Sequence, residues 1–568
     1  MSPAPAAQAS HTSPLLQSFA RDTGVAILIQ VLGLVLVYLT RVLLARWMGE
    51  TEYGIYEYVV SWSLLLATFS GLGFPRAVLR FVAQYRVQEK WALLLGIVRS
   101  SWIVTLVVSL VFSGGSLALI LWIDKLHPFV YGPALMVGVW LIPLQALMNL
   151  QRETIRAFDD VTLAFAPSQV VWPVLVLGGA AVLLERDHQL TSLPVIIMAS
   201  AMLLGVMVFQ GGWLAVKLRR DVDPLLLVSG GASSLAEGEP IAALNPGEAN
   251  PLIPVAEQGM ESGGIPEAGN PMASGAIALE EKPRVTENLI PAPSPIALVD
   301  SEMAPGEIAP GEMEPGEVIG GTIALATNPG SLESSPIAPG RLPIAYAHRE
   351  WLGVSLVMLV QNAFGVLLQQ TDIVMVGSLL GPAEAALYGA AVKTSMWVAF
   401  VLQTINMVAA PAFAALYTQR DMKSLQALVG TVTVWIFWPS LVIAGGLMVF
   451  GPEVMGLFGP KFVAATLELK VLVLGQLVSA LCGSVGYLMV MTGHQNKSVV
   501  VFGSAALLNI VLNAFFIPWI GAIGAAIATT FTMMVWNIWL SILVIKHVQV
   551  HTSIFYFLFR NQDPEPIP

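Results

Sequence analysis

The sequence predicts an all-α membrane protein: twelve transmembrane helices in two six-helix lobes, related by a parallel pseudo-two-fold axis along the membrane normal. A disordered central cytoplasmic insert joins the lobes. Three observations predict this. Apolar runs of about 20 residues follow one another along a chain that is 56% hydrophobic and 11% charged. A stretch of quite different composition divides those runs six and six. One short phrase is written twice, once in each half.

The apolar runs lie at 23–45, 55–75, 93–122, 129–150, 162–184 and 193–216, then at 352–377, 385–416, 426–450, 466–491, 498–518 and 521–545. Each is long enough to cross the hydrocarbon layer. The third and eighth exceed it and are expected to tilt or run into the interface. Residues 1–20 lack a basic stretch followed by an apolar core, so they read as a disordered leader and not as a signal peptide. Residues 551–568 read as a tail. The single cysteine, Cys482, excludes an intrachain disulfide and reads as a small buried hydrophobe.

Basic residues set the orientation. With the N-terminus in the cytoplasm, one set of loops holds Arg76, Arg80, Arg86, Lys90, Arg152, Arg156 and the later lysines and arginines. The opposite set holds only Arg46, Lys125, Arg186 and Lys461. Both termini and the long central loop are therefore expected to be cytoplasmic.

That central stretch, residues 221–347, is rich in Pro, Gly, Ala, Ser and Glu. Between 225 and 340 sixteen acidic residues face two basic ones, so this segment is net −14 in a chain of net −10. The remainder is +4, and the low isoelectric point belongs to the insert. PGE recurs at Pro305, Pro310 and Pro315. Repeated helix breakers and self-repelling charge predict disorder. Its short apolar patches are candidate docking motifs for assembly proteins. An acidic loop should be repelled by anionic lipid and by nucleic acid, so no nucleic-acid partner is expected.

The repeated phrase is RWMGETEYGIYEY (Arg46 to Tyr58) and SLLGPAEAALYGA (Ser378 to Ala390). Gly49 falls on Gly381 and Tyr56 on Tyr388 at an offset of 332. Six crossings return the chain to its starting side, so both copies lie on one face, as in parallel repeats with the substrate path between halves. The phrase reads as the turn between the first two helices of each lobe. Gly49 and Gly381 suit a tight corner, and Tyr53, Tyr56 and Tyr388 suit the headgroup belt. On this reading the phrase is structural.

Polar residues inside the bilayer are the candidate functional residues. Gln30 and Arg41 in the first helix, and Gln361 and Asp372 in the seventh, are both eleven residues apart, so each pair shares a helix face. Gln369 joins the second stripe. This face can line a central cavity, with Lys393 on the eighth helix. Competing structural readings have Arg41 snorkelling to headgroups and Asp372 paired with Lys393. Arg76, Arg80 and Arg99 are candidate cytoplasmic-side contacts for a diphosphate, although the positive-inside bias also explains them. Asn509 and Asn513 share a face and read as interhelical packing. No GxxxxGK[ST] occurs, so nucleotide hydrolysis is not expected. His547 and His551 have a ligand-like spacing just past the last helix. No metal, no cofactor and no enzymatic activity are expected.

The residues GETEYGIY, after an Arg-containing first helix, resemble the start of the polysaccharide-export and oligosaccharide-flippase family. That family belongs to a superfamily that includes the multidrug extruders. TDIVMVGSLLGPAEAALYGAA (from Thr371), LFGPKFVAATLELKVLVLG (from Leu457), MTGHQNKS (from Met491) and LNIVLNAFFIPWIGAIGAAIATT (from Leu508) are similar to its later segments, in order. The insert departs from the family pattern. The resemblance implies a bacterial inner-membrane transporter that flips isoprenoid-diphosphate-linked oligosaccharide by alternating access. Membrane lipid and the lipid-linked substrate are then the partners. The alternatives are a multidrug or organic-cation antiporter, which needs a membrane acid such as Asp372, and a non-transporting scaffold for polysaccharide assembly.

Overall fold

The computed structural model describes residues 14–158, 160–221 and 344–559. Both lobes belong to one compact unit. Most of the expected insert, with residues 1–13 and 560–568, lies outside the described residues. The part of the leader that is described is helical, because the first helix already begins at Pro14.

Described in order, the N-terminal lobe comprises α1 (Pro14–Ser70), α2 (Phe74–Val87), α3 (Trp91–Leu126), α4 (Gly132–Gly138), α5 (Leu141–Ala157), α6 (Val161–Ala166), α7 (Trp172–Asp187) and α8 (Ser192–Asp221). The C-terminal lobe comprises α9 (His348–Leu380), α10 (Pro382–Thr418), α11 (Met422–Val449), α12 (Gly451–Gly456), α13 (Thr466–Cys482), α14 (Val485–Met491), α15 (Gln495–Ile520), α16 (Ala522–Val548) and the short α17 (Ile554–Phe559).

Eleven stretches among the described residues are long and apolar enough to cross a membrane. The first, Ile27–Ser70, contains two crossings. Its backbone leaves the helical region at Gly49 (φ 78°, ψ 173°). Arg41 and Glu57, sixteen residues apart, touch at 2.7 Å, whereas a straight helix would hold them about 24 Å apart. The chain therefore reverses at Gly49, and the crossings among the described residues number twelve, six per lobe. Gly381 makes the same corner between α9 and α10 (φ 97°, ψ 178°). This conformation is open essentially to glycine alone.

Crossings interrupt where the sequence dictates. Pro167 lacks the N–H a regular helix needs, and a π-turn, Pro167–Val171, sits between α6 and α7. The fourth crossing was expected at 129–150; it is offset and jointed at Val139–Trp140, between α4 and α5. The tenth, expected as one run over 466–491, breaks between α13 and α14, where Gly483 takes φ 73° and ψ −144°.

Packing inverts the pattern of a water-soluble helix. On α3 the buried face carries Ser101, Thr105, Ser109 and Ser113, while Ile103, Leu106, Val107, Leu110 and Val111 are exposed. Small hydroxyl residues let helices approach closely and return their hydrogen bonds to backbone carbonyls, leaving large apolar side chains for lipid. Ser109 donates to Leu106 O at 3.0 Å, and Ser113 crosses to Val139 O at 3.0 Å.

Candidate functional site

The repeated corners set the site. Arg41 and Glu57 lie eight residues on either side of Gly49, so the hairpin brings them to one height. Arg41 Nη1 donates to Glu57 Oε1 at 2.7 Å, and Tyr53 Oη donates to the same oxygen at 2.8 Å. In the C-lobe Asp372 and Tyr388 are also sixteen residues apart across the corner. Tyr388 Oη donates to Asp372 Oδ2 at 2.7 Å, the Ile373 amide donates to Oδ1 at 2.9 Å, and Thr529 Oγ1 lies 3.3 Å from Oδ2. Asn513 donates to Asn509 at 3.0 Å, and Asn509 to Thr529 at 3.2 Å. The asparagine pair thus extends a hydrogen-bonded chain to Asp372.

Two sequence readings change here. Tyr53, Tyr56 and Tyr388 are not headgroup-belt residues, for all three are buried. The repeated phrase is also more than a turn. Glu57 accepts from Arg41, Glu52 accepts the Ser192 amide at 2.7 Å, and Glu50 meets Lys461 at 2.7 Å. Arg41 finds its partner inside the lobe, and its side chain is about one-fifth exposed. Asp372 takes its direct partners from Tyr388, Ile373 and Thr529. Lys393 makes no direct ion pair among the described residues, but feels the charges of Arg41, Glu57 and Asp372.

Two cavities with polar groups in their walls lie near this cluster. The first, of about 330 Å³, lies between the lobes. The N-lobe contributes Arg76, Asn149, Arg152 and Glu153; α9 contributes Asn362, Gln369 and Gln370. Glu153 is held by Arg152 (3.3 Å) and Arg156 (2.7 Å), so arginine outnumbers acid at this end. The second cavity, of about 470 Å³, lies in the C-lobe and is lined by Asp372, Gln403, Asn406, Gln476 and the broken stretch Gly483–Ser484. Gln369 lines both. A third pocket, of about 250 Å³ around Trp62, Leu119 and Phe129, is almost wholly apolar.

The remaining predicted residues scatter. Gln30 reaches across the lobes to Met407 Sδ at 3.2 Å. Gln361 is half-buried outside both polar cavities, Arg80 lies over the Phe81 ring, and Arg99 is exposed. Of the three candidate diphosphate arginines, only Arg76 lines the cavity between the lobes. The His547 ring neighbours His494 (5.5 Å between centroids), whereas His551 stacks on Tyr556 (4.1 Å). Among the described residues no group of three or more His, Cys, Asp or Glu is placed to hold a metal.

The lobes meet at both ends. At the Gly49 end, a β-carbon on Gly54 would collide with the Pro382 carbonyl. Tyr58 bonds Ser378 at 2.9 Å, and Tyr131 donates to Gly377 O at 2.7 Å. At the arginine-rich end Gly73 lies against the Ser355 carbonyl, and the fully buried Trp351 donates to Tyr85 Oη at 2.9 Å.

Residues 19–152 match the family described as polysaccharide biosynthesis protein, and residues 341–467 match a second family of the same description. No curated protein matches the chain. Among solved structures it is similar to a multidrug resistance MATE family transporter of the MOP superfamily in an inward-facing conformation (11% identity, 92% of this chain and 94% of that one, TM-score 0.53). It is similar to MATE in complex with MaL6 (12%, 92% and 97%, TM-score 0.54) and to lipid II flippase MurJ in an inward closed conformation (11%, 94% and 89%, TM-score 0.53). At these identities the structural likeness speaks for the fold, while the family matches fall one in each lobe. The chain is thus a multi-pass membrane protein that matches a polysaccharide biosynthesis family in each lobe and shares its fold with these MATE and MurJ structures.

Proposed function

We propose that the protein flips an isoprenoid-diphosphate-linked oligosaccharide across a bacterial inner membrane by alternating access. Both termini and the insert then face the cytoplasm. The observation that carries this reading is the cavity between the lobes, with Arg76 and Arg152 on one wall and Asn362, Gln369 and Gln370 on the other. Arginine suits phosphate oxygens and amides suit hydroxyls. The lipid tail stays in the bilayer, and the lobes rock between the contacts at their two ends. The polysaccharide biosynthesis matches support the substrate class.

The test is reconstitution in liposomes with fluorescent prenyl-diphosphate-linked sugar. Arg76→Ala and Arg152→Ala are expected to slow flipping at least tenfold at matched protein amounts. Wild-type protein that leaves the probe in one leaflet would overturn the reading. Asp372, the acid lining the C-lobe cavity, favours a second reading as a cation antiporter. Gradient-driven uptake of a cationic dye by the same liposomes would establish it instead.

A further inference from the structure

We infer that the C-lobe cavity is a saccharide-binding subsite, separate from the basic cavity between the lobes. The inference rests on the function proposed above and extends it, by giving the neutral part of the substrate its own seat.

The first observation is Asn406. Its side chain is fully buried, it lines the cavity, and neither its amide nitrogen nor its amide oxygen has a hydrogen-bond partner. A buried amide is ordinarily paired, because water lost on burial must be replaced. Asn406 offers one donor group and one acceptor side by side, which a vicinal pair of sugar hydroxyls matches. Gln403 and Gln476 line the same space and make no hydrogen bond among the described residues.

The second observation is the break in the tenth crossing. Non-helical backbone at membrane depth is tolerated where it lines a cavity or is buried in protein, and interrupted helices mark binding sites. The break falls at Gly483–Ser484, and both residues line this cavity. Ser484 Oγ is buried without a partner. Trp536 adds an aromatic wall, a surface suited to the apolar face of a pyranose.

The wall chemistry suits a neutral sugar. Among the described residues Asp372 is the only acid lining the cavity, and Tyr388, Ile373 and Thr529 already surround its carboxylate. A ligand can also span the two cavities. Gln369 lines both, so the two cavities adjoin at its side chain. A diphosphate at Arg76 therefore leaves the sugar beside the C-lobe opening.

The test compares two probes on purified full-length protein in detergent. One is a fluorescent prenyl diphosphate. The other set carries one hexose or one N-acetylhexosamine on the same diphosphate. Wild type should bind at least one sugar-bearing probe tenfold or more tightly than the bare probe. Gln403→Leu and Asn406→Leu should each erase most of that gain and change bare-probe binding less than twofold. Asn406→Leu removes an unpaired buried amide, so it should not lower the melting temperature of ligand-free protein. A drop of several degrees would show that the amide is satisfied structurally, and would overturn the subsite. Equal binding of all probes by wild type would also overturn it, leaving the proposed function intact. Failure to bind any prenyl diphosphate would overturn the function itself.

Discussion

The Gly49 hairpin and the Gly381 hairpin have the same corner and different chemistry. In the first, a cation on the incoming helix meets an acid on the outgoing one, and Tyr53 donates to the same carboxylate oxygen. In the second, an acid stands on the incoming helix, and neutral donors surround it. The first hairpin is an internally neutralised pair. The second holds a carboxylate beside an open cavity, near Lys393. A duplicated scaffold needs its corner in both copies, because the backbone demands it. The residues lining the hairpin are free to diverge, since each pairing needs only to satisfy its own buried groups.

The largest expected effect comes from breaking the ion pair. Glu57→Leu strands Arg41 inside the lobe and should cost on the order of 3 kcal/mol. Thermal unfolding in detergent measures it. The double variant Arg41→Leu, Glu57→Leu should be more stable than Glu57→Leu alone, because the stranded charge is gone. A double variant at least as damaged would mean that the two residues matter separately.

Next comes a pair of glycines on the two outgoing helices. Gly54→Ala drives a methyl into the Pro382 carbonyl of the other lobe, at a cost of about 2 kcal/mol. In a Cys482→Ser background, maleimide labelling of Ser378→Cys should speed up severalfold as that end loosens. Gly389 has only an ordinary contact with Glu57, so Gly389→Ala should be neutral, or stabilising by about 0.5 kcal/mol through helix propensity. Equal effects at the two positions would mean that the two hairpins do not differ in how closely their outgoing helices are packed.

The corners themselves should behave alike. Gly49→Ala and Gly381→Ala both force a β-carbon into a glycine-only conformation, at a cost of roughly 1–3 kcal/mol each. A twofold or greater difference in their melting-temperature losses would mean that the corners are not equivalent.

Asp372→Asn should lower stability by only about 1 kcal/mol, since an amide oxygen still accepts a hydrogen bond. Flipping measured with and without a pH or sodium gradient then separates its roles. Unchanged gradient dependence assigns it to the cavity wall. Lost gradient dependence assigns it to ion coupling.

The sequence carried the fold further than the site. Apolar runs located the crossings, and the 332-residue offset located both corners. Arg41 and Asp372 stood out as charges in apolar runs. Glu57 is also a charge in an apolar run, and its eight-residue distance from Gly49 matches that of Arg41. This was the signal for the pair, but it becomes legible only if the corner is treated as a mirror. Asn406, Gln403 and Gln476 carry no comparable mark. Gln403 and Asn406 are three apart on α10 and share a helix face, but nothing in one dimension says that Gln476 on α13 faces the same space.

What the sequence determined by itself is therefore the set of helices, their division into lobes, and the two glycine corners. Each follows from a local rule, since bilayer thickness sets run length and sterics restrict positive φ. Only the tertiary structure decided which tyrosines are buried, which partner each charge takes, and where the cavities open. Those depend on side chains brought together from helices far apart in the chain. The physical reason is that lipid rewards apolar surface on every helix alike, so hydropathy cannot tell which face a helix turns towards its neighbours.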